Sequence, residues 1–278
     1  MLCAVASDMT AQLRSTLWNR SSSTVLTSGT LAVETDFRRF KEETGLLADG
    51  RVIESVSASP FDYKANCLLY LPHHPPEQTG SGYFDELAAE IAALLDACWG
   101  HALVLFTSYA AMSAIKERLT EMNLPWDIFT LSRNAVHTAQ QFKDTPGSVL
   151  LATGAAWEGF DFPGDCVSLL IIPRLPFSHP DALKEKKRAE YPDLHSFIRA
   201  AVVPEMQIKL KQGFGRAIRT ETDTCVVAIL DERATPGQRH FEAMQAVLPE
   251  MQVTNSLQDV VDFICRVKGT GYFEEGES

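Results

Sequence analysis

Short apolar runs alternate with amphipathic segments through most of this chain. Runs typical of buried strands cover residues 67–71, 102–107, 127–131, 148–153, 167–172 and 225–230. Apolar positions at helical spacing predict helices over residues 84–98, 109–122, 136–143, 181–190, 193–211, 238–247 and 256–267. Buried strands that alternate with amphipathic helices predict an α/β fold, in which a mainly parallel sheet carries helices on both faces.

The beginning and the end of the chain have weaker patterns. Residues 1–24 predict an N-terminal helix, and residues 24–31 predict a short buried strand that runs into a loop. A further helix is predicted over residues 35–48. Residues 25–267 are expected to form the main domain. Residues 268–278 are rich in Gly and Glu, and we expect a flexible acidic tail there.

Composition and charge narrow the possible functions. The chain has 278 residues and is 45% hydrophobic, which is enough to bury a sizeable core. Its formal net charge is −11, whereas nucleic-acid binders usually carry a basic surface that neutralises phosphates. The charge therefore argues against strong DNA binding by the chain alone. Dense basic clusters occur at residues 184–188 and 209–219, and each could instead be a solvated helix face.

The cysteines and the N-terminus exclude several other classes. None of the six cysteines lies within four residues of another, so no metal site is predicted. The N-terminus lacks a charged region followed by an apolar run and a cleavage site. No apolar run reaches the ~18 residues of a membrane span. We therefore expect a cytoplasmic protein with no membrane partner.

Small hydroxyl residues follow several of the predicted strands. Ser28 and Thr30 follow the first, Thr107 and Ser108 follow the strand over 102–107, and Thr153 ends another. Their hydroxyl groups and the neighbouring backbone N–H groups suit phosphate oxygens. Residues of this kind also occur as ordinary turn and N-cap residues, so both interpretations stay open.

A turn with two carboxylates follows the strand over 148–153. Glu158 and Asp161 flank the flexible Gly159 in this turn. The two carboxylates could orient a water molecule, a ribose or an arginine of a partner. They could also belong to a plain solvated turn.

Two arginines and a glutamine have the most specific spacing in the chain. Arg216 and Arg219 are three residues apart and would share one face of a helix, with Gln212 one turn earlier. Two converging guanidinium groups suit a polyphosphate, because they offer bidentate and permanently charged donors. Such an arginine can offset the charge that spreads over the γ-phosphate during transfer. Alternatively, they are surface arginines paired with Glu221 or Asp223.

Four segments together resemble the motifs of DinG/XPD-type superfamily 2 DNA helicases. In chain order they are Val25–Leu31 for motif III, Leu103–Ser108 for motif IV, Trp157–Asp165 for motif V and Gln212–Thr220 for motif VI. Gly29 stands where motif III usually has Ala, and Ser59–Tyr63 is similar to the bacterial DinG branch. One such motif would be a weak signal. Four in the family's order, covering residues 10–265, are a strong one.

The resemblance implies a RecA-like three-layer domain, the second of two motor domains. In the family, ATP lies in the cleft between these two domains. Residues 1–24 would then hold the N-terminal helix and the junction with the first motor domain. Residues 25–267 would form the second RecA-like domain.

The resemblance also implies a role for particular residues. Arg216 and Arg219 would be catalytic and reach the γ-phosphate. The nucleotide-binding and coupling residues would be Gln212, Gly215, Glu158, Gly159 and Asp161. The DNA-binding residues would be Ser28, Thr30, Thr107, Ser108, Thr153 and Trp157. Trp157 would stack on a base, which is worth about 1–3 kcal/mol, or it would lie buried beneath the motif V turn.

The chain lacks the motifs that hold phosphates and metal in such helicases. It has no G-x-x-x-x-G-K-[ST] phosphate loop, no Asp-Glu-x-His box and no four-cysteine iron–sulfur site. In the family these belong to the first motor domain. We therefore expect a fragment of a longer helicase, or a truncated gene product, that binds neither ATP nor Mg²⁺ by itself.

Three functions remain open on this basis. The first is the C-terminal motor domain of an ATP- and Mg²⁺-dependent 5′→3′ DNA helicase, with single-stranded DNA and the first motor domain as partners. The isolated chain would then be inactive. The second is an inactive nucleic-acid or protein interaction module derived from a helicase, which the acidic charge favours. The third, a Rossmann-like dehydrogenase or transferase, lacks a G-x-G-x-x-G after an early strand.

Overall fold

The computed structural model describes most of the chain in two compact units. The described residues are 8–20, 23–32, 35–47, 49–80, 82–131, 135–157, 159–162 and 164–274. The first unit joins Met1–Ser59 to Ser178–Ile208, and the second joins Pro60–Phe177 to Lys209–Ser278. This division differs from the single main domain that was predicted over residues 25–267.

A seven-stranded sheet forms the centre of the second unit. Its strands are β1 Cys67–Tyr70, β2 Ala102–Phe106, β3 Ile128–Thr130, β4 Val149–Thr153, β5 Leu169–Ile172, β6 Cys225–Ile229 and β7 Gln252–Thr254. They lie in the order β3-β4-β2-β5-β6-β1-β7, and every neighbouring pair is parallel. The predicted parallel sheet is confirmed. Because the strands are parallel, all their carboxyl ends lie along one edge, where Phe106 is in register with Thr153.

Helices account for most of the remaining regular structure. The described α-helices are α1 Thr10–Leu13, α2 Arg38–Thr44, α3 Tyr63–Asn66, α4 Tyr83–Cys98, α5 Tyr109–Glu121, α6 Ala135–Asp144, α7 Ala182–Arg188, α8 Leu194–Phe197, α9 Val203–Phe214, α10 Phe241–Gln245, α11 Leu257–Val267 and α12 Thr270–Glu274. Short π-helical turns cover Arg14–Trp18 and Ile198–Val202. Turns of 3₁₀ helix cover Gly154–Trp157, Gly164–Val167 and Glu232–Ala234. Within the described ranges, no helix has the length and apolar character needed to cross a bilayer.

Both faces of the sheet are covered, because every residue of β2, β4, β5 and β6 is buried. Helices α4, α5 and α11 pack on the face to which Val104 and Phe106 belong. On the opposite face Leu105 lies under Gly213, at the end of α9. Burial of a Leu, Ile or Phe side chain contributes roughly 1.5–3 kcal/mol to stability. The buried sheet therefore holds the loops at its edges in place.

The first unit consists of short helices and connecting segments. Trp18 is buried, and its Nε1 donates to the carbonyl of Thr44 at 2.7 Å, which ties the end of the first π-helical turn to α2. The strand predicted over residues 24–31 is wrong. That segment is irregular, with Val25 88% exposed and Leu26 44% exposed. Side-chain propensity alone cannot form a strand, because a strand needs a hydrogen-bonding neighbour.

A cluster of side-chain contacts lies at the edge of the sheet where the strands begin. We call it the amino-edge cluster, and it consists of His101, Asp165, Lys268 and Tyr272. The buried Lys268 Nζ donates to Asp165 Oδ1 at 2.6 Å. The Tyr272 ring stacks on His101 with centroids 4.2 Å apart, and its hydroxyl donates to the carbonyl of Cys98 at 2.6 Å. Burial raises the pKa of Tyr272, consistent with a hydroxyl that stays protonated.

The amino-edge cluster overturns part of the prediction for the C-terminal tail. Residues 268–278 were expected to be flexible, but Lys268 and Tyr272 are 9% and 7% exposed, and α12 covers Thr270–Glu274. The prediction rested on the Gly and Glu content and gave no weight to the apolar pair Tyr272–Phe273, which supplies the buried surface. Residues 275–278 lie outside the described residues.

Candidate functional site

Helix α9 ends before the two arginines that were predicted to share its face. Its last residue is Phe214, and a turn follows in which the N–H of Arg216 donates to Gly213 O and that of Ala217 to Phe214 O, both at 2.9 Å. The predicted helical pairing of Arg216 and Arg219 is therefore wrong. Gly215 weakens a helix by about 1 kcal/mol relative to Ala, and the buried Ala217 fixes the turn on the core.

The two arginines nevertheless converge, and they do so on one main-chain oxygen. Arg216 Nη1 donates to the carbonyl of Phe160. Arg219 Nη2 donates to the same oxygen at 3.1 Å. Arg216 Nε also donates to the carbonyl of Trp157 at 3.3 Å. The motif VI arginines therefore lie against the motif V turn, and both guanidinium groups point at the same atom.

Arg219 also pairs with a carboxylate of that turn. Its Nε lies 2.9 Å from Asp161 Oδ1, and the two side chains are 30% and 68% exposed. Such a solvated pair contributes under about 1 kcal/mol, because water competes for both charges. The partner differs from Glu221 and Asp223, the two candidates from spacing. It is Asp161 that the structure brings to the arginine.

Asp223 instead binds the main chain of the loop that carries Arg219. Its Oδ2 accepts from the N–H of Arg219 at 2.7 Å and from that of Thr220 at 2.8 Å. Its Oδ1 accepts from the Thr220 hydroxyl at 2.6 Å. The sequence offered an acidic residue at this position but no sign that it would bind backbone amides.

Trp157 lies beneath this site and cannot stack on a base. It is 0% exposed, and its Nε1 donates to the carbonyl of Phe106 at 2.9 Å. Gly213 crosses its ring so closely that an added Cβ would lie 2.6 Å from the ring. The DNA-stacking role predicted for Trp157 is therefore wrong, because both the turn and α9 cover it. The open alternative, a tryptophan buried under the motif V turn, is the observed arrangement.

The other nucleotide-site residues follow the same two segments. Gln212 and Gly215 are half-buried around the end of α9, and Gly159 is exposed in the motif V turn beside Phe160. Glu158 lies outside the described residues. The structure thus brings together Arg216, Arg219 and the turn at 159–161.

The residues predicted to bind DNA lie in different places. In the first unit, the Ser28 and Thr30 hydroxyls are 3.2 Å apart within one turn. In the second unit, Thr107 and Ser108 are half-buried at the carboxyl end of β2, and Ser108 Oγ accepts from the Ala111 N–H at 3.2 Å as the N-cap of α5. Thr153 is only 7% exposed at the end of β4, which leaves little of it for a phosphate.

Comparison with known proteins decides the family. Residues 91–250, more than half of the chain, match the family described as "Helicase C-terminal domain". The chain belongs to the helicase C-terminal domain family. With the DinG and YoaA relatives described next, the resemblance to DinG-type helicases is confirmed, and the parallel sheet confirms the α/β class.

Curated relatives of this helicase C-terminal domain include much longer proteins. The chain is 32% identical over 262 residues to the "ATP-dependent DNA helicase YoaA" of Haemophilus influenzae, covering 94% of the chain and 40% of the relative. It is 34% identical over 254 residues to the "ATP-dependent helicase DinG" of Mycobacterium tuberculosis, covering 89% and 38%. The chain thus spans about two fifths of the length of these relatives. Among solved structures, "XPD_Helicase" is 16% identical with a TM-score of 0.49, covering 68% of this chain and 35% of that one.

Proposed function

We propose that this chain is the C-terminal motor domain of an ATP-dependent DNA helicase. In this proposal it supplies Arg216 and Arg219 to a triphosphate that another domain holds. The family match and the two helicase relatives support the assignment. In this proposal the phosphate-holding groups belong to the other domain, and this domain contributes the arginines.

The convergence of two guanidinium groups on the Phe160 carbonyl carries the proposal. A carbonyl oxygen is neutral, whereas the oxygens of a triphosphate are charged. Both kinds of hydrogen bond are charge-assisted because the guanidinium group is ionised, but only a phosphate adds attraction between opposite charges and a bidentate geometry. The arginines can therefore exchange the Phe160 oxygen for γ-phosphate oxygens, where an arginine finger is worth about 10³–10⁵-fold in rate.

The roles of the chain's own groups follow from this exchange. Arg216 and Arg219 orient the γ-phosphate and offset its developing negative charge. Asp161 is freed from Arg219 when that guanidinium turns to the nucleotide, so occupancy of the site leaves the carboxylate of the motif V turn without its neutralising cation. Within the described ranges, no three His, Cys, Asp or Glu side chains are grouped to hold a metal.

The DNA contact in this proposal lies at the carboxyl end of β2. Thr107 and Ser108 stand there at the N-terminus of the 13-residue helix α5. Hydroxyl groups and the free backbone N–H groups of a helix N-terminus both suit phosphate oxygens. Contacts of this kind hold a strand in register without reading its sequence. Ser28 and Thr30 remain predicted contacts of the first unit.

A hybrid protein tests this function. In it, the chain replaces the matching segment of the Haemophilus influenzae relative, and DNA-stimulated ATP hydrolysis is measured. We expect the hybrid to hydrolyse ATP and the isolated chain to show negligible turnover. Robust DNA-stimulated hydrolysis by the isolated chain would contradict the proposal. A folded hybrid without turnover would instead favour the inactive interaction module.

A further inference from the structure

We propose that Asp223 is a positioning residue that sets the place of Arg219, a role that rests on the proposed function of that arginine. Spacing suggested that Asp223 could neutralise an arginine side chain. In the structure its carboxylate accepts two N–H groups and a hydroxyl instead, and the Arg219 guanidinium pairs with Asp161. Asp223 therefore acts on the backbone of Arg219.

Because Asp223 is buried, these hydrogen bonds are costly to break. The residue is 6% exposed, so water has little access to its carboxylate. A buried acceptor that loses its donors is strongly penalised, because no solvent replaces them. The consecutive amides of Arg219 and Thr220 both donate to one oxygen, Oδ2, so the backbone at Arg219 has little freedom to rotate.

The same loop is fixed on both sides of Arg219. Before it, Ile218 is 4% exposed and packs in the core. After it, the Asn66 side-chain amide donates to the carbonyl of Glu221 at 3.0 Å. The chain then enters β6 at Cys225, which is 0% exposed. The Arg219 guanidinium can therefore exchange its partners while Asp223 holds the backbone of Arg219 in place.

This geometry separates a positioning role from an electrostatic one. An asparagine at 223 has the shape of aspartate, so its amide oxygen can accept both N–H groups. Its amide nitrogen can donate to the Thr220 hydroxyl, which is able to accept. Asp223→Asn should therefore keep the loop in place, whereas Asp223→Ala should release it. If the negative charge itself mattered, the two variants would fail alike.

The hybrid helicase provides the kinetic test. We expect Asp223→Ala to lower kcat for ATP hydrolysis about 10- to 100-fold with little change in KM, since a misplacement of ~1 Å can cost about 100-fold. Asp223→Asn should restore most of the rate. In an Arg219→Ala background, Asp223→Ala should cause no further loss, because its effect passes through Arg219. Glu221→Ala, a carboxylate deletion in the same loop, is the matched control.

Amide hydrogen exchange in the isolated chain gives an independent readout. The Arg219 and Thr220 amides should be protected in the parent chain and in Asp223→Asn, and should exchange rapidly in Asp223→Ala. An inactive hybrid with the parent chain would count against the proposed function, while the exchange result still decides whether Asp223 fixes this backbone.

Three results would overturn the positioning role. These are an unchanged kcat in Asp223→Ala, losses that multiply with Arg219→Ala, and unaltered exchange at both amides. If Asp223→Ala does not fold, Asp223→Asn decides alone. A rate near that of the parent supports the proposal, and a collapse of kcat in a folded Asp223→Asn protein rejects it.

Discussion

Asp161 and Asp165 stand at the two ends of a five-residue segment, and each forms an ion pair, but the two pairs differ in how far the cation is exposed to solvent. At one end Asp161 pairs with Arg219, and the two side chains are 68% and 30% exposed. At the other end Asp165, whose side chain is 57% exposed, pairs with Lys268, whose side chain is only 3% exposed. Each end thus joins an aspartate to a distant cation, but only the first leaves the cation open to solvent.

The difference shows that an ion pair by itself does not mark a binding site. Lys268 donates to Asp165 and to the carbonyl of Thr224 at 3.1 Å, and it lies over the Tyr272 ring. Because the Lys268 side chain is only 3% exposed, a ligand has little access to this ammonium group. Arg219, in contrast, is held by a neutral carbonyl and a solvated carboxylate, which a triphosphate can outcompete. We therefore expect the first end to serve function and the second to serve stability.

Removing the arginine that contacts two carbonyls should have the largest effect. In the hybrid helicase, Arg216→Ala should lower ATP hydrolysis by about 1000-fold or more while nucleotide binding is largely kept, because the guanidinium acts on the developing charge. Turnover and the equilibrium binding of ATP, measured separately, check this. Arg239→Ala, which removes an exposed arginine after β6, is the control. Unchanged turnover in Arg216→Ala would refute its catalytic role.

The two aspartates offer a direct comparison of the two ends. Asp165→Ala leaves the buried Lys268 ammonium group with the carbonyl of Thr224 but without its carboxylate, and should lower the free energy of unfolding by about 1–3 kcal/mol. Asp161→Ala breaks a solvated pair and should cost less than about 1 kcal/mol. Chemical denaturation of both variants measures the difference. Equal losses would mean that the burial of Lys268 does not distinguish the two pairs.

Packing beneath the arginine end gives a smaller and more local effect. An added Cβ at Gly213 would lie 2.6 Å from the Trp157 ring, so Gly213→Ala should destabilise the chain by about 1–3 kcal/mol through overpacking. At Gly215 the nearest atom to an added Cβ is 3.4 Å away, and Gly215→Ala should leave the unfolding free energy nearly unchanged. Thermal unfolding of the pair tests this, and equal stability of the two variants would contradict it.

Much of the sheet could be predicted, because its central strands are apolar throughout. The strands β1, β2, β4, β5 and β6 coincide closely with apolar runs, since burial on both faces removes the need for polar positions. The edge strand β7, at Gln252–Thr254, has exposed residues and no such pattern. Residues 24–31 had the apolar pattern but no partner strand. Pattern therefore predicts burial well and pairing poorly.

The side chains of the candidate site could be predicted from the sequence, but the main-chain group that they bind could not. The motifs pointed to Arg216, Arg219 and Asp161, and the structure brings these three together. The carbonyl of Phe160 could not be foreseen, because every residue has one and only the fold selects it. The burial of Trp157 also depends on a distant glycine, which local spacing does not reveal.

The amino-edge cluster should make the stability of the chain depend on pH through His101. Burial lowers the pKa of His101, although its hydrogen bond to the carbonyl of Asp165 opposes this shift, and the nearby Lys268 lowers the pKa further. The unfolded chain therefore binds a proton more readily than the folded one. Stability from this histidine is fully present above the unfolded pKa of about 6.5. It is lost as the pH falls toward the lowered folded value.

Replacing His101 with asparagine should flatten that dependence. His101 has a φ of +44°, and asparagine tolerates this left-handed region better than most residues. His101→Asn should be less stable at neutral pH, because it loses the stacking on Tyr272. Between pH 7.5 and 5.5, however, its unfolding free energy should fall less steeply than that of the parent chain, by at most one proton's worth. Denaturant titrations across this range measure both slopes. Parallel slopes would show that the amino edge admits a charged imidazole without loss, and so is less closed than the burial of Lys268 indicates.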